Sequence, residues 1–449
     1  MTVGPAVQIP GPGPYPSVTL GDFSDTRMPN GMRVIAVRRP QVPLVQLRLQ
    51  IPLGEVRVRD STALRLLPKM LLAGSGTRSG SEMAVAIQRL GASVDTWADP
   101  DHLALAASAP RGRLAEILEL LADIVAHPSF PPGEVAGERD RVAQEVLQEA
   151  ADPVAVATRA LEAALYPGHP YADPLPGVAS VRRTSRGALR SFHEARVRPR
   201  GSSLVVVGDV DPGEAGDAAR HTLGAWSPGT GSPVLDALEV PRAPTGGRGI
   251  LVVHRPGAVQ SNLRIGARCG GRHDPAFPAL LLAMTIFGGS FTSRLVTNLR
   301  ERNGYTYSPR AGVDEHRRAA AVSVGADVAT EVTARALTEV RYELARMATA
   351  PVTPEELESS RRYVTGVIAM SSATQAGLAS VLANLVGNDL DPPYLETFIE
   401  ALARVDTEAV SDVAARSLGP AGMTTVVVGD ADAVTDALSP LDRVKVIGR

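Results

Sequence analysis

Cysteine is almost absent from this sequence, since only one of its 449 residues, Cys269, is of that type. A disulfide framework and a thiolate metal cluster within one chain are therefore excluded. Cys269 lies in a stretch, 266–271, that contains no neighbour suggesting reactivity. We interpret it as a small strand residue and not as a nucleophile.

Charge imbalance and aromatic side chains are scarce as well. The formal net charge is −2, and aromatic residues make up 4% of the chain, with two tryptophans. Neither a basic surface nor a base-stacking surface is indicated, so we expect no nucleic acid or anionic membrane as a partner. With 44% hydrophobic and 21% charged residues, the composition is that of an ordinary globular protein.

Long hydrophobic runs are missing too. No run of 18 or more apolar residues occurs, so the sequence predicts no membrane span. Residues 1–16 are rich in Pro and Gly and lack the basic start and apolar core of a signal peptide. We therefore expect a cytoplasmic protein.

An internal repeat is the first positive feature. Val205-Val-Val-Gly-Asp-Val-Asp211 recurs as Val426-Val-Val-Gly-Asp-Ala-Asp432, at an offset of 221 residues (426 − 205). The offset is close to half the chain, which favours duplication over chance. Each copy is typical of a buried strand followed by a helix start whose Asp caps free N–H groups.

The repeat and the length together predict two domains, because 449 residues exceed what one core supports. Strands and helices in mixed order make each domain α+β. The predicted units are a flexible N-terminal arm (1–20), an N-terminal half (21–227), a Pro/Gly-rich linker (228–248) and a C-terminal half (249–449).

The most informative stretch is 287–308, which opens on Gly288-Gly289. Leu295 and Leu299 lie one turn apart, which predicts a short helix. Asn303-Gly304 is a turn signal.

After that turn, Tyr305 and Tyr307 alternate as in a strand, which would place both side chains on one face. Arg300 ends the helix, and Tyr307 follows seven residues later, so a cation and a phenol could share one cleft. From spacing alone, a solvated Arg beside a half-buried Tyr is the more ordinary interpretation.

A family resemblance changes that balance. The stretch resembles the C-terminal-half motif of pitrilysin/insulinase-type zinc peptidases and mitochondrial-processing-peptidase-like proteins: Gly-Gly, Ser-Arg-Leu, Arg-Glu, Gly and Tyr-Ser. The matching residues are Gly288, Gly289, Ser293, Arg294, Leu295, Arg300, Glu301, Gly304, Tyr307 and Ser308. The resemblance covers roughly residues 25–440.

This resemblance implies a fold and a set of site residues. The fold is two duplicated half-domains in a clamshell arrangement, each with a mixed, mostly antiparallel sheet and helices on one face. The resemblance assigns substrate-binding positions to Gly288, Gly289 and Ser290. It implies that Arg300 and Tyr307 reach toward the substrate held at the zinc.

The N-terminal half departs from the family pattern. Family peptidases carry His-x-x-Glu-His on their first long helix, where two imidazoles bind Zn²⁺ and the Glu acts as general base. At the equivalent positions this chain has Arg65, Pro68 and Lys69. Arg and Lys are cations where the metal needs lone pairs, and Pro has no group that accepts a proton. We therefore predict no metal in this chain.

The family's paired glutamates are retained. Glu138 and Glu145 match them, and their spacing of seven places both on one helical face. We hypothesise that Glu145 faces Lys69 or Arg65, so that an ion pair stands where the metal would be. The alternative is that these charges are all solvated on the surface.

Other kinds of site find little support. None of the eight histidines pairs with another at i, i+3 or i, i+4, so no helical metal-binding pair is visible. The stretch Gly246-Gly-Arg-Gly249 lacks the ending of a phosphate-binding loop, and no Gly-x-Ser-x-Gly elbow occurs.

The resemblance implies one function and leaves a second open. Many bacterial members are heterodimers in which one chain carries His-x-x-Glu-His and the other keeps only the Arg/Tyr pair. This chain has the second profile, which implies a peptide-binding subunit whose homologous partner holds the zinc. The alternative is a non-catalytic scaffold or assembly protein of the same family. A metal-free hydrolase has the least support.

Overall fold

Two six-stranded sheets organise the protein. The computed structural model describes residues 13–15, 17–227, 238–242 and 249–448. The N-terminal sheet has strands β1 (Phe23–Arg27), β2 (Arg33–Arg38), β3 (Leu44–Pro52), β4 (Ser93–Ala98), β5 (His102–Pro110) and β6 (Ser203–Gly208). Its helices are α1 (Ser61–Leu71), α2 (Gly80–Arg89), α3 (Leu114–Ala126), α4 (Pro132–Ala151), α5 (Pro153–Leu165), α6 (Val178–Arg183), α7 (Arg186–Arg196) and α8 (Pro212–Leu223).

The C-terminal half repeats this plan. Its strands are β7 (Ile250–His254), β8 (Gln260–Cys269), β9 (Arg310–His316), β10 (Ala319–Ala329), β11 (Thr424–Gly429) and β12 (Val444–Ile447). Its helices are α9 (Phe277–Met284), α10 (Arg294–Val296), α11 (Thr333–Thr349), α12 (Pro354–Ala373), α13 (Gln375–Gly387), α14 (Tyr394–Arg404), α15 (Thr407–Ser417) and α16 (Ala431–Leu438). Two short π-helical stretches, Thr285–Gly289 and Thr297–Arg302, flank α10.

The sheet orders show the duplication directly. The N-terminal sheet runs β1-β2-β6-β3-β5-β4 and the C-terminal sheet β12-β7-β11-β8-β10-β9. In the five shared strands, the first pair is parallel and the others are antiparallel. The pair α4 and α5 has 20 and 13 residues, as does the pair α12 and α13, at an offset of 222 (354 − 132; 375 − 153). The predicted fold class, two duplicated α+β halves with mixed, mostly antiparallel sheets, is confirmed.

Helix starts follow the sequence closely. Pro153 and Pro354 stand at the first turn of α5 and α12, where a missing N–H removes no hydrogen bond. Asp152 and Thr353 cap those helices through side-chain oxygens. The break between α12 and α13 falls at Thr374, whose extended backbone turns the chain by 112°.

The apolar faces of the sheets explain the repeated Val-Val-Val segment. In β6, Leu204 and Val206 face the helices of the N-terminal half, whereas Val205 and Val207 face a second cluster. Because both faces are covered, β6 reads as a continuous apolar run and not as an alternating one.

The second face of each sheet is covered by a helix of the opposite half. Helix α13 packs on β3 and β6, and α5 packs on β8 and β11. The resemblance implied helices on one face of each sheet, and nothing local to α5 or α13 indicates that they cover the sheet of the opposite half. The two halves are therefore joined through a reciprocal exchange of helices.

Parts of the predicted arm and linker contact the protein. In the arm, the Tyr15 hydroxyl donates to Glu358 on α12, and Leu20 is 2% exposed. In the linker, Val240 packs against the α5 cluster. Residues 1–12, 16, 228–237 and 243–248 lie outside the described residues, so most of the predicted linker does too.

One helical run of the described residues, Phe277–Arg302, is long and apolar enough to cross a membrane by length and composition. However, 67% of its most apolar window is buried inside the protein, with Phe287 and Leu295 in the C-terminal core. Burial of this kind is typical of a core helix. The run carries the motif predicted from the sequence.

Candidate functional site

The Gly-Gly step of the motif is fixed by a close contact with β9. A Cβ atom on Gly288 would lie 2.7 Å from the Cβ of Ala311, nearer than real Cβ atoms approach. On Gly289 a Cβ would lie 3.3 Å from a backbone carbonyl oxygen. Glycine lets the chain come this close. Ser290 follows with extended backbone, and its carbonyl oxygen accepts a hydrogen bond from the Ser293 N–H.

The helical part of the motif is anchored by charge-assisted hydrogen bonds. Arg294 Nε and Nη2 each lie 2.7 Å from a carboxylate oxygen of Glu356, and the Arg294 side chain is 9% exposed. This guanidinium holds the pKa of Glu356 below its ordinary value. The Asn298 amide donates to Glu339 and Glu343 on α11, at 2.9 and 2.8 Å. These bonds fix the helix from which Arg300 projects.

The predicted strand for Tyr305 and Tyr307 is wrong. Residues 303–309 form a turn and irregular chain, and β9 begins only at Arg310. Gly304 has φ +62°, and the Tyr305 N–H donates to the Leu299 carbonyl at 2.8 Å, so these residues close the helix end. Tyr305 packs partly on the core, whereas Tyr307 is 79% exposed. Their side chains therefore do not share one face.

The structure nevertheless brings Arg300 and Tyr307 together. The Arg300 Cζ lies 4.4 Å from the centroid of the Tyr307 ring and 4.6 Å from that of Phe291. Its Nε is 3.3 Å from a carboxylate oxygen of Glu301. Sequence reasoning missed Phe291, although it is the one large apolar side chain in the small-residue stretch 288–293.

The former zinc motif is occupied by ion pairs. Lys69 Nζ lies 2.8 Å from Glu145 Oε1, which confirms the predicted ion pair. Arg65 meets Glu149 in two bonds, of 2.6 and 3.0 Å. The carbonyl oxygen of Pro68 accepts a hydrogen bond from the Thr96 hydroxyl at 2.8 Å.

Glu149 is a partner that the sequence reasoning did not name. Arg65 and Lys69 lie four residues apart on α1, and Glu145 and Glu149 lie four apart on α4, so two matched pairs meet across the helices. The equal spacing of opposite charges in the sequence could have indicated this second ion pair. Glu138 is not part of the group, because it is 9% exposed and pairs with Arg141 on its own helix.

These ion pairs border a cavity of about 480 Å³. Its wall includes Trp97, which is 45% exposed, and Glu162. Burial, with the nearby charges of Asp173 and Asp314, raises the pKa of Glu162 to about 7. The cavity is therefore a charged pocket, and the positive charges of Arg65 and Lys69 on α1 are balanced by Glu149 and Glu145.

The duplicated position in the C-terminal half is apolar. A cavity of about 630 Å³ lies between β9, α9 and the helices from α12 to α14. At the offset of 222, Val367 stands where the other half has Glu145, and Ser371 where it has Glu149. Glu315 is the one carboxylate in the lining, and Arg272 pairs with it at 2.8 Å. The lining of this cavity thus offers no ligand set for a transition metal.

One group of potential metal ligands occurs among the described residues: His254, Asp430 and Asp432. Two of these side chains are engaged elsewhere. Asp430 caps α16 and accepts the Gly257 N–H at 2.9 Å, and His254 Nδ1 accepts the Ala431 N–H at 3.1 Å. We interpret the group as the cap of the second Val-Val-Val-Gly-Asp segment.

Cys269 is the last residue of β8, as the sequence predicted. Burial raises the pKa of its thiol to about 12, so the thiolate is disfavoured.

Comparison with protein families decides the identity. Residues 33–177 match the model described as "Insulinase (Peptidase family M16)". Residues 183–364 match the model of the "Peptidase M16 inactive domain". The chain belongs to peptidase family M16.

Relatives of this M16 chain match different shares of its length. An uncharacterized zinc protease of Mycobacterium leprae is 28% identical over 308 residues, which is 67% of each chain. A crystal structure from Pseudomonas fluorescens, described as a peptidase M16 inactive domain, has a TM-score of 0.82 at 23% identity and covers 91% of this chain and 98% of its own. Subunit 1 of the human mitochondrial cytochrome b-c1 complex is 26% identical over 198 residues, 43% of this chain and 41% of its own.

Zinc, which the names of several M16 relatives imply, does not fit this chain at the family's motif. Of the positions that would supply two imidazoles and a general base, two carry cations held by carboxylates and one carries a proline. A cation at a ligand position repels the metal. No hydrogen bond, ion pair or ring contact among the described residues links this group to Arg300 or Tyr307. The chain thus contains an M16 inactive domain, over residues 183–364, and has two separate groups of side chains.

Proposed function

We propose that this chain is the substrate-binding subunit of a heterodimeric zinc metallopeptidase that cleaves peptides. In this proposal, a homologous partner with an intact His-x-x-Glu-His motif holds the zinc, and this chain supplies Arg300 and Tyr307 in trans. The observation that carries the proposal is the Arg300–Tyr307 pair, in which the Arg300 Cζ lies 4.4 Å from the centroid of the exposed Tyr307 ring, in a chain with ion pairs at the family's metal motif.

The chemistry of the two side chains suits this role. The Tyr307 hydroxyl is a donor on a 79% exposed residue, free to reach the scissile carbonyl oxygen as negative charge develops there. Arg300 offers planar N–H donors that bind a peptide carbonyl or carboxylate. The loop of Gly288, Gly289 and Ser290 lies against β9 and leads directly into Phe291, whose ring lies near the Arg300 guanidinium. None of these residues provides the attacking water, which the partner's metal would activate.

The decisive experiment is a cleavage assay with this chain alone, and with a relative from a neighbouring gene that has the intact motif. We expect no cleavage by this chain alone and chelator-sensitive cleavage by the pair. Tyr307→Phe should lower kcat by about a hundredfold or more, since one oxyanion donor is lost. Its matched control is Tyr342→Phe, which alters an exposed tyrosine on α11 and should leave kcat unchanged.

A scaffold role is the second candidate. The similarity to a cytochrome b-c1 complex subunit favours it, because that relative is named as a component of an assembly. A scaffold would form the same complex but would not need the Arg/Tyr pair. If the two chains together cleave peptide at an unchanged rate after Tyr307→Phe and Arg300→Ala, the scaffold interpretation is therefore established.

A further inference from the structure

Phe291 is an unusually exposed aromatic residue, and its ring lies near the Arg300 guanidinium. Phe291 and Tyr307 are 67% and 79% exposed, and no other Phe, Tyr or Trp among the described residues exceeds 54%. Aromatic residues normally bury their large apolar surface. The two most exposed of these Phe, Tyr and Trp rings therefore lie near the same guanidinium, that of Arg300.

The backbone around Phe291 is fixed, so this arrangement is built into the loop. Gly288 is held against Ala311, and the Ser293 hydroxyl caps α10 by accepting the Val296 N–H at 3.4 Å. Phe291 lies between these two anchors and projects to the Arg300 Cζ at 4.6 Å. A loop tied on both sides thus holds a ring that contributes nothing to the core.

The rings act on Arg300 in a specific way. An arginine side chain has many rotamers, and an ion pair with Glu301 alone, its neighbour in sequence, would not define the guanidinium plane. Aromatic rings attract the face of a guanidinium and leave its N–H edge available. The Arg300 side chain is 25% exposed, and its Cζ lies within 4.6 Å of the centroids of both exposed rings, an arrangement that would order it before any peptide binds.

We propose that Phe291 is a positioning residue, which with Tyr307 fixes the Arg300 guanidinium so that its N–H edge meets a carbonyl or carboxylate of an extended peptide. This inference rests on the proposed function for its consequence in catalysis. The ordering of Arg300 itself is independent of that function. Phe291 touches Arg300 and not the reacting atoms.

The test of the ordering uses this chain alone. The Arg300 Nε–Hε resonance is assigned by its loss in Arg300→Lys, and its order parameter is measured by ¹⁵N relaxation. We expect about 0.8 in the wild type and about 0.5 in Phe291→Leu, which keeps bulk but removes the ring. Phe291→Tyr should restore the wild-type value. Tyr342→Leu removes the ring from a comparable exposed pair, 5.7 Å from the Arg346 Cζ, and should leave Arg300 unchanged.

The kinetic test uses the chain together with the zinc-bearing relative. Phe291→Leu should reduce kcat/KM about 3- to 10-fold, mainly by raising KM, because the arginine then orders only on binding. Tyr307→Phe should act on kcat instead. An unchanged order parameter in Phe291→Leu overturns the inference, even if the pair cleaves peptides. If Arg300 is ordered only when Phe291 is present, but the two chains together cleave no peptide, the positioning role is supported and the proposed function is wrong.

Discussion

Four charged side chains satisfy one another at the family's metal motif. The Lys69 and Glu145 side chains are 37% and 41% exposed, so their pair contributes about 0–1 kcal/mol. The pair of Arg65 with Glu149 is bidentate and better covered, at 20% and 34% exposed. Charge neutralisation, and not large stabilisation, is what these contacts provide. Glu145, one of the two residues that match the family's paired glutamates, remains a carboxylate beside Lys69.

The retained carboxylate allows a direct prediction. The triple variant Arg65→His, Pro68→Glu and Lys69→His should bind about one zinc ion per chain, because two imidazoles and Glu145 then complete a three-ligand site. The wild type should bind none at that position. Metal content after dialysis, measured by mass spectrometry, checks both statements.

A matched control separates this site from adventitious zinc. Adding Glu145→Gln to the triple variant should abolish stoichiometric binding, whereas adding Glu138→Gln should not, since Glu138 pairs with Arg141 away from the group. Zinc retained in the Glu145→Gln variant would contradict the assignment of Glu145.

Among the elements, α5 and α13 connect the two halves. In α13, Leu378 and Leu382 are 0% exposed and share a cluster with Val205 and Val207 of β6. In α5, Leu161 packs with Val426 and other residues of the C-terminal sheet. Each helix therefore contributes core to the half from which it does not come.

Leu382→Ala should test this connection. We expect the free energy of unfolding to fall by about 2–4 kcal/mol, because a buried leucine leaves a cavity between helix and sheet. Urea denaturation measures the loss. Hydrogen exchange should show weaker protection in β6, which lies almost 180 residues away in sequence (382 − 205).

The control for that variant is Leu147→Ala on α4, where the side chain is 48% exposed. It should change stability by no more than about 0.5 kcal/mol. Equal effects of the two substitutions, or unaltered protection in β6, would show that α13 does not support the N-terminal sheet.

Much of the architecture was accessible from sequence because it is local. The repeated Val-Val-Val-Gly-Asp segments are equivalent strands, β6 and β11. The exchange of α5 and α13 was not accessible, since an apolar helix face does not state which sheet it covers. The same limit applies to Tyr305 and Tyr307, where alternation suggested a strand but the turn at Gly304 uses those residues to end a helix.

The candidate site was also predictable only in part. The pairing of Lys69 with Glu145 followed from the residues and the family pattern, because opposite charges replaced metal ligands on facing helices. Phe291 was not accessible, since its contact with Arg300 depends on a loop conformation imposed by Gly288 and Ala311. Local chemistry was thus predictable, and contacts set by a distant strand were not.

The molecule as a whole is one interdependent body. Expressed separately, residues 1–227 and 249–449 should each fail to unfold cooperatively, because each lacks the helix that covers its second sheet face. Expressed together, they should copurify in a 1:1 ratio, as measured by size-exclusion chromatography with light scattering. A separate half with a cooperative denaturation curve would contradict this expectation.

The crossed helices also restrict how this polypeptide can move. Moving one sheet away from the other would separate the valines of β6 and β11 from the helices that cover them and expose these valines to water. Hinge bending inside the chain is therefore costly, so in the proposed heterodimer a peptide would have to enter through the gap between the two chains. Admission of substrate would then be governed by how two rigid bodies separate, and not by flexing of either one.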